Sequence, residues 1–214
     1  VSLSLSMEAL MGVPAAFDER IHIARGVDGS ILAAKQVRAL IRNSNLISAK
    51  NRLPDAYALR CAPQVQGPVY DNIMHAKSIV ERELNAATDN PLLFGTDIVS
   101  GGNFHGELLG LQSDALKVNI CSLANIAERR CAKVTTESTS NGLPSMLVPT
   151  ESQMGLNSGL MIPPYTAASL TLRCHTAATP DTIRSLPTSG NQEDYNANAW
   201  NSVLYLREII TDVR

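Results

Sequence analysis

No apolar run in this 214-residue sequence approaches the roughly 18 to 20 residues that span a bilayer. The basic start, apolar middle and small-residue cleavage site of a secretory signal are missing as well. A soluble protein follows as the expectation, with the cytoplasm as its simplest location. Neither charge sign dominates: 18 Lys and Arg stand against 20 Asp and Glu, a net charge of -2, and they are spread without runs. That distribution excludes the electrostatic footprint of a nucleic-acid binder or a membrane-surface patch. Small charged or polar ligands remain open.

Four cysteines, Cys61, Cys121, Cys131 and Cys174, show no C-x-x-C spacing, which points to reduced thiols rather than a disulfide frame or zinc site. There is no P-loop, no G-x-G-x-x-G, no H-E-x-x-H, no G-x-S-x-G and no EF-hand loop. The four histidines, His22, His75, His105 and His175, are far apart and none pairs at helical ligand spacing. No metal site is expected. Aromatics make up only 4% of the chain.

What is present is helical periodicity. Ser2 to Met11 reads as the end of a buried helix stopped by Gly12 and Pro14. A polar loop follows. Asp28, as an N-cap, opens a helix to about Asn43 with Ile31, Leu32, Val37, Leu40 and Ile41 as its apolar positions. The stretch 42–54 reads as an exposed connection. Pro63 suits a helix N1 position, and Val65, Val69, Ile73, Ala76, Val80, Leu84 and Ala87 recur at intervals of three and four. Asn90-Pro91 breaks that pattern, and 92–94 with 97–100 predict a small hairpin. A second long helix is expected from Glu107 to Lys133, a loop over 135–157, a helix from Leu160 to about Ala177, and a last one from near Gln192 to Arg214. The fold class is all-α: a long-helix bundle, read as one domain over 1–214 and as part of an oligomeric helical core.

Three polar clusters stand at predicted helix entrances, where unpaired backbone donors favour anionic ligands. They are "PDAYALRCAPQ" with Tyr57 and Arg60, "SGGNFHGE" with Asn103, Phe104 and His105, and "LPTSGNQEDY" with Gln192, Glu193 and Asp194. Each has a structural reading too. Tyr57 reads as a packed aromatic and Arg60 as a cap for a neighbouring carbonyl or the partner of a surface acid. Gly101 and Gly102 suit a positive-φ turn, Asn103 a helix cap, and the "NQED" acids a helix-dipole complement.

Taken in order, "AYALRCAPQVQG", "ELNAATDNPLLF", "SGGNFHGE" and "LPTSGNQED" resemble successive signatures of the histidine and phenylalanine ammonia-lyase family. The similarity runs from about Val1 to Tyr195. The resemblance implies a non-oxidative elimination of ammonia from an aromatic amino acid, giving the trans-α,β-unsaturated acid. An amine leaves poorly and the β-proton is weakly acidic, so the reaction needs an electrophile and a base. In this family the electrophile is a methylidene-imidazolone made from an Ala-Ser-Gly tripeptide, and a tyrosine phenolate is held to supply the base.

The resemblance implies a role for each matched residue. Arg60 would hold the substrate carboxylate, with Asn103 and Gln192 also binding substrate; its planar fork suits that task. Tyr57 would lie close to the electrophile, Phe104 beside electrophile and substrate, and Glu193 against a substrate imidazole. "NQED" tilts the expected substrate toward histidine over phenylalanine or tyrosine. Pro54 departs from the pattern by standing where the histidine branch carries glutamine.

Ala-Ser-Gly occurs nowhere in the 214 residues. The expectation is therefore a central and later portion of a lyase, inactive alone, with the electrophile-bearing portion on another polypeptide or a missing segment. Tetramer-like assembly is implied. A non-catalytic assembly homologue and an aminomutase component are the other two accounts.

Overall fold

The computed structural model describes residues 1–47, 55–150 and 153–214. Pro54 and most of the predicted 42–54 connection lie outside the described residues. The architecture is all-α apart from one hairpin: α1 (Ser2–Ala9), α2 (Glu19–Arg25), α3 (Asp28–Ile41), α4 (Tyr57–Arg60), α5 (Ala62–Leu84), β1 (Leu92–Phe94), β2 (Asp97–Val99), α6 (Glu107–Thr135), α7 (Ile162–Ala177) and α8 (Ala199–Val213). The chain separates into two compact units. One comprises 1–71 and 122–173 with Val213, the other 72–121 and 174–212 with Arg214.

The first unit carries an apolar core of Leu3, Met7 and Leu10, Phe17, Ala34, Val37 and Ile41, Leu59, Ala62 and Ile126. Positions 34, 37 and 41 recur at helical spacing on α3, so one face of it is buried. Phe17 and Leu59 have no exposed surface, and burying side chains of that size contributes about 1.5–3 kcal/mol each. Asp28 starts α3 as its first acidic residue, with Val27 at the cap position and no side-chain cap bond. Its carboxylate therefore acts on the helix dipole rather than as the expected N-cap.

The stretch read as polar loop contains α2. Asp18 accepts the Arg20 N–H as its cap, and Gly26 ends the helix in the left-handed region at φ 71°, the residue type that tolerates it. The helix buries His22, whose Nε2 meets the Ala16 carbonyl oxygen at 3.1 Å. α5 continues through Pro68, which cannot give the usual N–H to residue 64.

In the second unit the hairpin pairs Leu92 with Val99, Leu93 with Ile98 and Phe94 with Asp97. The Asn90-Pro91 peptide is cis. Lys117 is wholly buried with Asp114 and Asp181. Its ammonium donates to Asp114 Oδ1 at 2.8 Å, Asp181 Oδ2 at 2.6 Å and the Thr179 carbonyl at 2.8 Å. Asp114 in turn accepts from the N–H groups of Asp181 and Thr182 and the hydroxyls of Thr182 and Ser202. Burial alone would raise the Asp114 pKa; the Lys117 bond and the Thr182 and Asp181 N–H groups outweigh it and hold the carboxyl well below its usual range. A buried charge network of this kind is tolerable because its members are satisfied.

α8 begins at Ala199, not near Gln192. Asn198 sits in the left-handed region at φ 47° and donates its side-chain amide to the Asp181 and Arg184 carbonyls. Upstream, Gly190 at φ 63° and a Thr188–Glu193 bridge wind the chain into turns. Local side-chain bonding of this kind competes with helix formation.

Candidate active site

The first cluster belongs to the first unit. Asp55 is buried and accepts the Val13 N–H at 2.6 Å, and fully buried Leu59 anchors the single turn of α4. That turn sets Tyr57 and Arg60 together, with the guanidinium carbon 4.8 Å from the ring centroid, an attractive cation–π geometry. Tyr57 is 69% exposed, against the expectation of a packed aromatic. The buried Arg60 Nε has no hydrogen-bond partner, and neither has Gln64 Oε1 one turn further on. Tyr57 also lines a cleft of about 440 Å³ with Arg129, Lys133, Thr136 and Thr139.

The second and third clusters belong to the second unit. The 100–106 segment is held upstream by Asn90, whose Oδ1 accepts the Ser100 hydroxyl at 2.9 Å and the Gly101 N–H at 2.7 Å. Asn103 does not cap α6; its Nδ2 donates to the Ala87 carbonyl at 3.2 Å. Gly101 and Gly102 do not adopt positive φ, so the turn is fixed by these bonds and not by left-handed backbone. Phe104 is 59% exposed.

Gln192 and Glu193 lie in the turns before α8, both exposed, so neither occupies the predicted helix start. The Glu193 carboxylate accepts the Thr188 hydroxyl at 2.7 Å, and the hydroxyls of Thr188 and Ser189 lower its pKa. It is therefore ionised at neutral pH. His105 and Tyr195 stack with ring centroids 5.8 Å apart. The structure thus brings Tyr57 to Arg60, and the Phe104 segment to the Glu193–Tyr195 segment.

Chemically, the first cluster offers a cation with a free edge and a phenol, a set suited to a carboxylate-bearing ligand. The others offer an exposed ring and an ionised carboxylate. Among the described residues no three His, Cys, Asp or Glu side chains form a metal-binding group, and no helix is long and apolar enough to cross a membrane.

The family model described as "Aromatic amino acid lyase" matches residues 1–214. The chain belongs to that family. Among relatives of this aromatic amino acid lyase family member, histidine ammonia-lyase of Bacillus subtilis (strain 168) is 42% identical over 215 residues, covering 99% of this chain and 42% of the relative. The crystal structure of histidine ammonia-lyase from Trypanosoma cruzi matches with TM-score 0.84 and 36% identity, over 99% of this chain and 40% of that one. A Pantoea agglomerans phenylalanine aminomutase matches with TM-score 0.92 and 29% identity, over 99% and 45%. This family member spans less than half the length of these relatives.

Several contacts that shape the two site segments of this lyase-family chain carry no signal in the sequence. His105 belongs to the second cluster, but its partner Tyr195 is 90 positions away. Asn90 was read only as a helix breaker, although it holds the Ser100–Gly101 turn. The Asp-Asn-Pro run is the local signal that an amide side chain sits at that break.

Proposed function

We propose that these 214 residues supply the substrate-binding side of an ammonia-lyase acting on an aromatic amino acid, with L-histidine to urocanate and ammonia as the first reaction to test. The observation that supports this most directly is the Tyr57–Arg60 pair, with its buried, unpartnered Arg60 Nε. The roughly 40% identity to histidine ammonia-lyases favours histidine among the substrates.

Arg60 receives the substrate carboxylate on its planar fork. In the second unit the exposed Phe104 ring suits contact with an aromatic substrate ring, and ionised Glu193 suits a donating imidazole N–H, a contact a phenyl ring cannot make. Asn103 and Gln192 supply amide groups in that same unit, and in the first unit Tyr57 places its phenol beside Arg60. A methylidene-imidazolone, when bound, supplies the electrophile that makes the amine a leaving group. In the first unit the unpartnered Arg60 Nε and the exposed Tyr57 ring fit such a group from the substrate side. Its Ala-Ser-Gly precursor does not occur in residues 1–214, so the electrophile comes from a polypeptide segment outside them.

Assembly is part of the proposal. Trp200 at 73%, Tyr165 at 69% and Leu172 at 64% exposure are large apolar surfaces of the kind that mark protein–protein contacts. A tetramer-like oligomer in the cytoplasm would cover such surfaces.

The test is complementation. The chain is mixed with an Ala-Ser-Gly-bearing segment of the family, the complex is confirmed by mass, and urocanate or cinnamate absorbance is followed. Formation of neither product by a confirmed complex refutes the lyase reading. An aminomutase outcome is favoured by the likeness to a phenylalanine aminomutase structure and is read from the β-amino acid.

A further inference from the structure

Phe104 and Glu193 are carried by separate segments of the second unit, 100–106 and 188–196, and one side chain bonds with both the helix behind the first and the backbone of the second. His105 Nδ1 receives the Glu107 N–H at 3.3 Å. A ring nitrogen that accepts carries no proton, so in the neutral imidazole the proton sits on Nε2. Nε2 faces the Tyr195 carbonyl oxygen at 3.3 Å, and the two rings stack at an interplanar angle of 14°. On the other flank of Phe104, Asn103 is tied to the Ala87 carbonyl. Phe104 is thus held from both sides, once toward the loop that follows α5 and once toward the Glu193 segment.

We propose that His105, as its Nε2–H tautomer, is a positioning residue that sets the Phe104 segment against the Glu193 segment by donating to the Tyr195 carbonyl. The proposal rests on the ammonia-lyase reading for what is positioned; the link between the segments does not. The competing role is purely structural: Nδ1 as a cap for the first N–H of α6.

Two substitutions separate the roles, because amide side chains place atoms at matching distances from Cβ. His105→Gln keeps a donor where Nε2 stood and loses the cap. His105→Asn keeps the cap acceptor where Nδ1 stood and loses the reach to Tyr195. Hydrogen exchange in the 214-residue chain reads the link at two amides of the Glu193 segment, Thr188 N–H bonded to the Glu193 carbonyl and Asn196 N–H bonded to the Ser185 hydroxyl.

With far-UV spectra unchanged, His105→Asn is expected to speed exchange at these amides about tenfold, the scale of one hydrogen bond, and His105→Gln to leave them near wild type. In the complemented enzyme the Asn variant lowers kcat about tenfold with KM nearly unchanged, since Arg60 is untouched, and the Gln variant restores it. Protection kept by Asn, or lost equally in both variants, overturns the proposal. So does a proton on Nδ1 in long-range nitrogen–proton correlation spectra of labelled histidine. If the link is seen but no unsaturated acid or β-amino acid forms, the ammonia-lyase reading fails and the link stands.

Discussion

Gly29 of α3 and Gly67 of α5 touch backbone to backbone: a Cβ on Gly29 would lie 2.1 Å from the Gly67 carbonyl oxygen, and one on Gly67 would lie 2.3 Å from the Ser30 nitrogen. The Gly29 N–H also donates to Asp71 Oδ2 at 3.2 Å. Helix propensity alone favours alanine at such positions by about 1 kcal/mol. The contact reverses that sign, because overpacking against backbone costs about 1–3 kcal/mol or more. Gly67→Ala should therefore lower the denaturant midpoint; an unchanged or raised midpoint would show that the two helices separate freely.

The Asp114–Lys117–Asp181 network predicts a large effect from one isosteric change. Asp114→Asn leaves Lys117 and its surroundings short of one charge in a buried site, and breaking such a pair costs about 3–5 kcal/mol. Urea unfolding of the second unit measures it. Because the folded Asp114 pKa is depressed, its contribution is full above the unfolded carboxylate value near 4 and is lost as pH falls below it toward the folded value. Wild-type stability should drop over that window, and the Asn variant should drop less steeply.

Arg60→Lys in the complemented enzyme should reduce kcat/KM by about 2 to 5 kcal/mol of transition-state free energy, since one ammonium cannot reproduce two parallel hydrogen bonds to a carboxylate. Wild-type turnover in that variant would remove Arg60 from the carboxylate role.

Phe104→Ala separates site from core. The ring is more exposed than buried, so its loss should change stability by no more than about 0.5 kcal/mol. Turnover in the complemented enzyme should fall far more than that. Comparable losses in both would assign the ring to packing.

The long helices were readable because α5 and α6 repeat apolar residues at three and four over several turns, a signal that a single proline does not erase. The hairpin is legible as two short runs, 92–94 and 97–100, just past the Asn90-Pro91 break. α2 escaped because its seven residues bury a histidine while Ile21 and Ile23 face outward, so no apolar stripe exists; only Asp18 and Gly26 at its ends mark it. The start of α8 was misplaced because Asn198 and the 188–196 turns are stabilised by tertiary carbonyls that no local pattern encodes. Of the candidate site, the residue types were legible in the motifs. The His105–Tyr195 and Asn90–Ser100 pairings were not, since nothing in the order of residues fixes which carbonyl or hydroxyl a side chain meets.

All three ammonium protons of Lys117 are committed within a site that water does not reach. Its nitrogen is consequently silent toward acylating reagents while the surrounding segments stay closed, whereas the exposed amines of the chain are modified at once. The rate at which a label appears at this one position would report how often the second unit opens, making Lys117 an internal clock for local unfolding.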